Sequence, residues 1–216
     1  MTRFLSDAAD GFLSGQYTNY NAAWNTCNYT AWGSYLRVGQ RYDSGWYIVD
    51  RAAILFDTSS IPDSDTVTAV SLGLLVASDY SYVDFDLLVY RYNWDTSKGF
   101  DNVFDMGAAG SSDGNPAVQE TPTVNTSGLA AGSWAVFSGL TTSWINKAGY
   151  TRYMVRSSRD AAMNAPTTME YVSFYAGDHA ESYRPYLDVT HGSGGVQRIT
   201  RIFAQGILSD TPFCHW

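Results

Sequence analysis

The chain has 216 residues, 45% hydrophobic and 15% aromatic. That is too apolar for a disordered polypeptide and suits one large domain with a core of its own. Thirteen Lys and Arg against 21 Asp and Glu leave a net charge of −8, which repels phosphate backbones and excludes nucleic acid as a natural partner. No apolar run approaches the ~20 residues that a membrane-spanning helix needs, so no membrane association is expected.

Eighteen of the acids are Asp and three are Glu. Asp favours turns and caps, Glu favours helices, and the imbalance predicts a loop-rich β protein. The opening MTRFLSDAADGFLSG has no basic stretch leading into an apolar one, so no secretory signal is expected.

In chain order, the first predicted strands are Tyr35–Arg41 and Trp46–Phe56, the latter with Ile48, Ala52, Ile54 and Phe56 on one side. In Val67–Ala77, Val70, Leu72, Leu74 and Val76 share a face. In Tyr82–Tyr92, Val83, Phe85, Leu87 and Val89 point one way, and Tyr82, Asp84, Asp86, Leu88 and Tyr90 the other. Asp105–Ser133 is rich in small and turn-forming residues and reads as one long loop. Strand patterns resume at Trp134–Phe137, Tyr150–Arg156, Glu170–Ala176 and Pro185–Thr190. The best helix signal, Leu140–Lys147, supports one or two turns.

His191–Val196 (HGSGGV) reads as a flexible joint closing a domain over 1–190. Beyond it, Ile199, Ile202, Phe203, Ile207 and Leu208 are too apolar for a solvated tail. This ninth run, Ile199–Leu208, is either an arm exchanged between copies or the last strand of the same domain. About nine strands with turns between them predict an all-β, antiparallel, jelly-roll-like β-sandwich.

Signals for chemistry are sparse. His179, His191 and His215 have no metal-ligand spacing. There is no phosphate loop and no nucleophile elbow. Asp84 and Asp86, two apart on one predicted strand, are the carboxylate pair closest to a glycosidase arrangement, yet neighbours on one strand rarely flank a sugar from both sides. With Tyr82 and Tyr90 they form instead a candidate carbohydrate-binding face, to which Trp46, Tyr47 and Trp94 add rings. The turns Asp63-Ser64-Asp65 and Ser112-Asp113-Gly114-Asn115 leave room for structural calcium, with no other cofactor implied. Cys27 and Cys214 are two free thiols or one bridge.

DAADGFLSG, RAAILFDTSSIPDSDTVTAVSLGLLV at Arg51–Val76, LLVYRYNWD at Leu87–Asp95 and YRPYLDVTH at Tyr183–His191 occur in that order. Together they resemble the carbohydrate-binding-module-like β-sandwich domains of the DNRLRE type, over Asp7 to about His191. The resemblance implies a non-catalytic module of the kind found in bacterial surface proteins and tailed-phage virions. The motif residues read as fold rather than chemistry: Asp57 and Ser59 as turn acceptors, and Pro62 and Pro185 as fixed-φ positions.

The leading expectation is a virion structural protein that decorates capsid or tail. It would be made in the host cytoplasm and would assemble with its own copies and other virion proteins through the C-terminal arm. Host glycans are the expected contact of its outer loops, notably Asp105–Ser133. The alternatives are an extracellular or cell-surface carbohydrate-binding module or adhesin, and a glycan-cleaving enzyme working through Asp84 and Asp86.

Overall fold

The computed structural model describes residues 1–193. The chain folds as an all-β, antiparallel, sandwich-like structure. Among the described residues there are twelve strands: β1 (Thr2–Leu5), β2 (Gly11–Tyr17), β3 (Tyr29–Trp32), β4 (Tyr35–Asp43), β5 (Trp46–Asp57), β6 (Asp65–Ser81), β7 (Asp86–Arg91), β8 (Val118–Asn125), β9 (Trp134–Ser138), β10 (Tyr150–Ser157), β11 (Met169–Tyr175) and β12 (Tyr186–Ser193). The eight strands predicted before residue 194 are all present. β1, β2, β3 and β8 were not predicted, because they are short or interrupted by Gly, Ser, Thr and Pro. No helix among the described residues is long and apolar enough to cross a membrane.

The 17-residue β6 belongs to both sheets. Its first half pairs with β12 and β9, and β12 pairs onward with β1. Its second half pairs with β11, which opens the larger sheet β11-β4-β5-β10-β7-β8. Register shifts at Thr190/His191 and Ser173/Phe174 mark where the ladders beside β6 bend, as bulges do. β4 pairs with β5 as far as Gly39↔Asp50, and β10 takes over beside residues 52–57.

The main core lies between the layers, where alternate residues of facing strands meet: Leu36, Ile54, Phe56, Leu72, Phe137 and Phe174 among others. A second core lies on the other side of β5. There Leu13, Val49, Ala53, Leu55 and Met154 are roofed by two short helices, α1 (Tyr20–Asn25) and α2 (Phe100–Phe104). Covering on both faces explains why Val49–Phe56 is buried without interruption, the charged Asp50 and Arg51 included. Asn19 starts α1 by accepting from the Ala22 amide at 3.3 Å, the usual work of an N-cap.

Leu140–Lys147 forms a single 3-10 turn at Thr142–Trp144, within the one or two turns expected. Three sequence expectations are corrected here. Residues 105–133 are not one loop, since they carry β8 and two 3-10 turns. β7 starts at Asp86, with Tyr82–Phe85 in the preceding turn. His191–Ser193, expected in the joint, belong to β12, which continues through Gly192↔Thr66 to Ser193↔Asp65. The predicted arm residues Ile199, Ile202, Phe203, Ile207 and Leu208 lie outside the described residues, as does Cys214.

Candidate functional site

The predicted carbohydrate face is not assembled as one surface. Tyr82 is 69% exposed in the β6–β7 turn, and its amide donates to Met169 O at 3.1 Å. Asp84, in the same turn, accepts from Thr126 Oγ1 at 3.3 Å. Asp86 opens β7 and accepts from Asn125 Nδ2 at 2.8 Å. Tyr90 is half-buried against the second core, and its hydroxyl donates to Gln119 at 3.1 Å. Trp46 is exposed at the β4–β5 hairpin. The reversal from β6 into β7 explains the scatter: Asp79 accepts from the Ser81 amide and hydroxyl, the chain turns, and strand alternation does not reach back to Tyr82.

The calcium expectations meet occupied acids. Asp65 holds His191 Nδ1 at 2.8 Å, and Asp113 accepts from the Ser111 hydroxyl and the Asn115 amide. No group of three His, Cys, Asp or Glu among the described residues is arranged to hold a metal. The Cys27 thiol donates to Tyr29 O at 3.4 Å, and burial pushes its pKa up.

The buried carboxylates are bound into the fold. Asp160, on the short helix α3 (Ser158–Ala161), accepts two hydrogen bonds from Arg51 at 2.7 and 2.9 Å and two from Arg156 at 2.9 Å. Arg51 also donates to Phe104 O at 2.6 Å and Trp24 O at 3.1 Å. Burial alone would raise the Asp160 pKa, but the two guanidinium groups outweigh it and hold the carboxyl below its usual range. Glu170 is held by Arg159 at 2.5 Å and Gln40 at 3.1 Å.

A cleft of about 610 Å³ opens on the outer side of β5 and β10, beyond the second core. Its walls come from distant parts of the chain: Trp32 on β3, Leu55 on β5, Arg152 on β10, and Trp94, Asp95 and Ser112 from the loops after β7. The Trp32 and Trp94 rings stack at 6.1 Å and 27°. Trp94, an exposed-ring candidate from sequence, is largely buried. Its indole N–H donates to Tyr153 O at 3.2 Å, which fixes the ring. Trp32 rests on it with 38% of its surface exposed, and Phe100 supports it at 6.5 Å.

Arg152 enters the cleft because β10 alternates. Thr151, Tyr153 and Val155 are buried, and Tyr153 and Val155 enter the main core, which leaves Arg152 facing outward beside Leu55. One guanidinium nitrogen donates to Asn93 Oδ1 at 3.0 Å. Its Nε is buried without a hydrogen-bond partner among the described residues. Asp95 caps the 3-10 turn Thr96–Lys98 through the Ser97 amide at 2.9 Å. The Ser97 hydroxyl and amide hold its carboxyl below the usual range, helped by Lys98 and Arg152.

A second aromatic surface covers the outer face of β6, β11 and β4. Tyr35, Arg37, Tyr80, Tyr171 and Tyr175 line a groove of about 390 Å³ there. Tyr80 and Tyr171 meet at 5.1 Å, and the Arg37 guanidinium lies 5.2 Å from the Tyr171 ring.

Sequence reading missed Trp32 and Arg152, took Asp95 only as part of the LLVYRYNWD motif, and took Ser112 only as part of a calcium turn. Nothing local distinguishes them, since Trp32 sits on an unpredicted four-residue strand and Asp95 looks like any turn residue. No protein-family model and no curated protein matches this sequence.

Proposed function

We propose that this chain is a non-catalytic recognition protein whose β-sandwich presents the Trp32–Trp94 cleft to glycans, as a carbohydrate-binding module or adhesin does. The observation that carries the reading is the exposed Trp32 ring, held rigid by Trp94, with a guanidinium and a carboxylate beside it. Aromatic faces take up the C–H faces of sugar rings, and a few fixed polar groups orient the hydroxyls. The DNRLRE-type resemblance of FDTSSIP and RPYLDVT supports the same reading. So does the engagement of Asp160 and Glu170 in structural ion pairs, which leaves them no catalytic task. Asp84 and Asp86 bond the Asn125–Thr126 segment, which favours a structural over a glycosidase role for them. The test is a glycan array read with the native chain and with Trp32→Ala. Binding by the native chain and its loss in the variant is the expected result. An array with no signal at millimolar sugar sinks the proposal.

A second, compatible reading is a virion structural protein that decorates capsid or tail, displayed where it meets host glycans. The apolar residues Ile199, Ile202, Phe203, Ile207 and Leu208 favour it, together with the exposed Trp134 and Val136 on β9. A cell-surface or extracellular setting is the alternative placement.

A further inference from the structure

We infer that the Trp32–Trp94 cleft selects a neutral sugar ring presenting two adjacent hydroxyls, and rejects sugars that carry a carboxylate. This rests on the glycan-binding reading above and sharpens it.

Three features of the cleft carry the inference. Trp32 keeps 38% of its surface exposed, with Trp94 at 6.1 Å and Phe100 at 6.5 Å packed against it. One exposed ring of this kind holds one sugar ring. Beside it stand a donor and an acceptor of opposite charge. Arg152 lines the cleft, and its guanidinium carries more N–H donors than the one it gives to Asn93 Oδ1. Asp95 lines the same cleft, close enough for the Arg152 charge to help hold its carboxyl down. A vicinal diol satisfies both at once, accepting from the guanidinium and donating to the carboxylate. The hydroxyls of Thr96 and Ser112 line the same walls and add neutral partners.

A carboxylated sugar meets the opposite balance. The charge of Arg152 is already offset by Asp95, whose carboxyl is kept ionised by its Ser97 donors. The rest of the molecule adds a net charge of −8, whose field lowers the local concentration of anions. An anionic ring would therefore bring a carboxylate beside Asp95, in a site whose one guanidinium already faces that acid.

The experiment titrates the full chain with methyl α-mannoside, methyl α-glucoside and methyl β-galactoside, and with glucuronate and galacturonate. Tryptophan fluorescence and indole N–H shifts report binding. The expected result is saturable binding of at least one neutral glycoside and at least tenfold weaker binding of the uronates. Asp95→Asn is the decisive variant, because Asn caps a turn as well as Asp does. It should weaken the neutral glycoside about tenfold, the scale of one charge-assisted hydrogen bond.

If Asp95→Asn tightens binding, or a uronate binds best, the inference is overturned and the site is anionic-sugar specific. Unchanged binding in folded Trp32→Ala places the sugar elsewhere, which overturns this inference and leaves glycan recognition standing. Absence of binding by every sugar overturns both.

Discussion

Two buried aspartates respond to pH with opposite signs. Asp10 is fully buried before β2, where it accepts from the Gly177 amide at 2.9 and 3.1 Å. Burial raises its pKa to about 7, against the lowering pull of those hydrogen bonds and of Arg184. Its folded pKa is therefore above the unfolded value. Its contribution to stability is complete below pH ~4 and is lost as pH rises toward 7, at a cost on the order of a few kcal/mol. Asp10→Asn keeps an acceptor for Gly177 and should raise Tm at pH 8 while changing it little at pH 4. Equal shifts at both pH values would refute the assignment. Asp160 runs the other way, because Arg51 and Arg156 hold its pKa down against burial. Its stabilisation is present at neutral pH and is lost on acidification. Asp160→Ala leaves two buried guanidinium groups without their carboxylate. It should cost about 3–5 kcal/mol in urea unfolding at pH 7.

The three short helices are held by tertiary contacts, since six residues or fewer do not sustain a helix alone. α2 is the clearest case. Phe104 is buried in the second core, its ring lies 4.0 Å from the Arg51 guanidinium, and its carbonyl accepts from the same group. Phe104→Ala should cost about 3–5 kcal/mol and release α2. Hydrogen exchange would then show early opening of residues 100–106 while β5 and β10 stay protected; uniform loss of protection would mean that this roof is not a separate unit. In β4, Gly39 has φ +126, and a Cβ there would meet Glu170 O at 2.2 Å. Gly39→Ala should destabilise by more than an ordinary surface change, about 1–3 kcal/mol, because both the backbone conformation and the spacing to β11 are violated.

For the molecule as a whole, the open question is association. With a sequence pI near 4.6, light scattering belongs at pH 7.5, where self-repulsion suppresses non-specific contacts. A stable trimer or larger closed oligomer across concentration is the outcome the virion reading predicts. A 23.8 kDa particle at every concentration counts against assembly from its own copies. Full-length Ile202→Asp and Phe203→Asp should lower the oligomer mass without shifting Tm if these residues serve assembly.

The strands rich in alternating apolar residues were legible because strand alternation is a local property. Val70, Leu72, Leu74 and Val76 carry their own face with them wherever β6 lies. The all-β class and the excess of turn-forming Asp were legible for the same reason. The cleft was not, because it joins Trp32, Leu55, Trp94 and Arg152, whose neighbourhood is set by the pairing of β2 with β3 and of β5 with β10. Asp160 found Arg51, 109 residues away, only through that same packing. Local periodicity settles which way a side chain points from its own strand. Burial and charge pairing across the whole chain settle which strands lie together, and so which side chains meet.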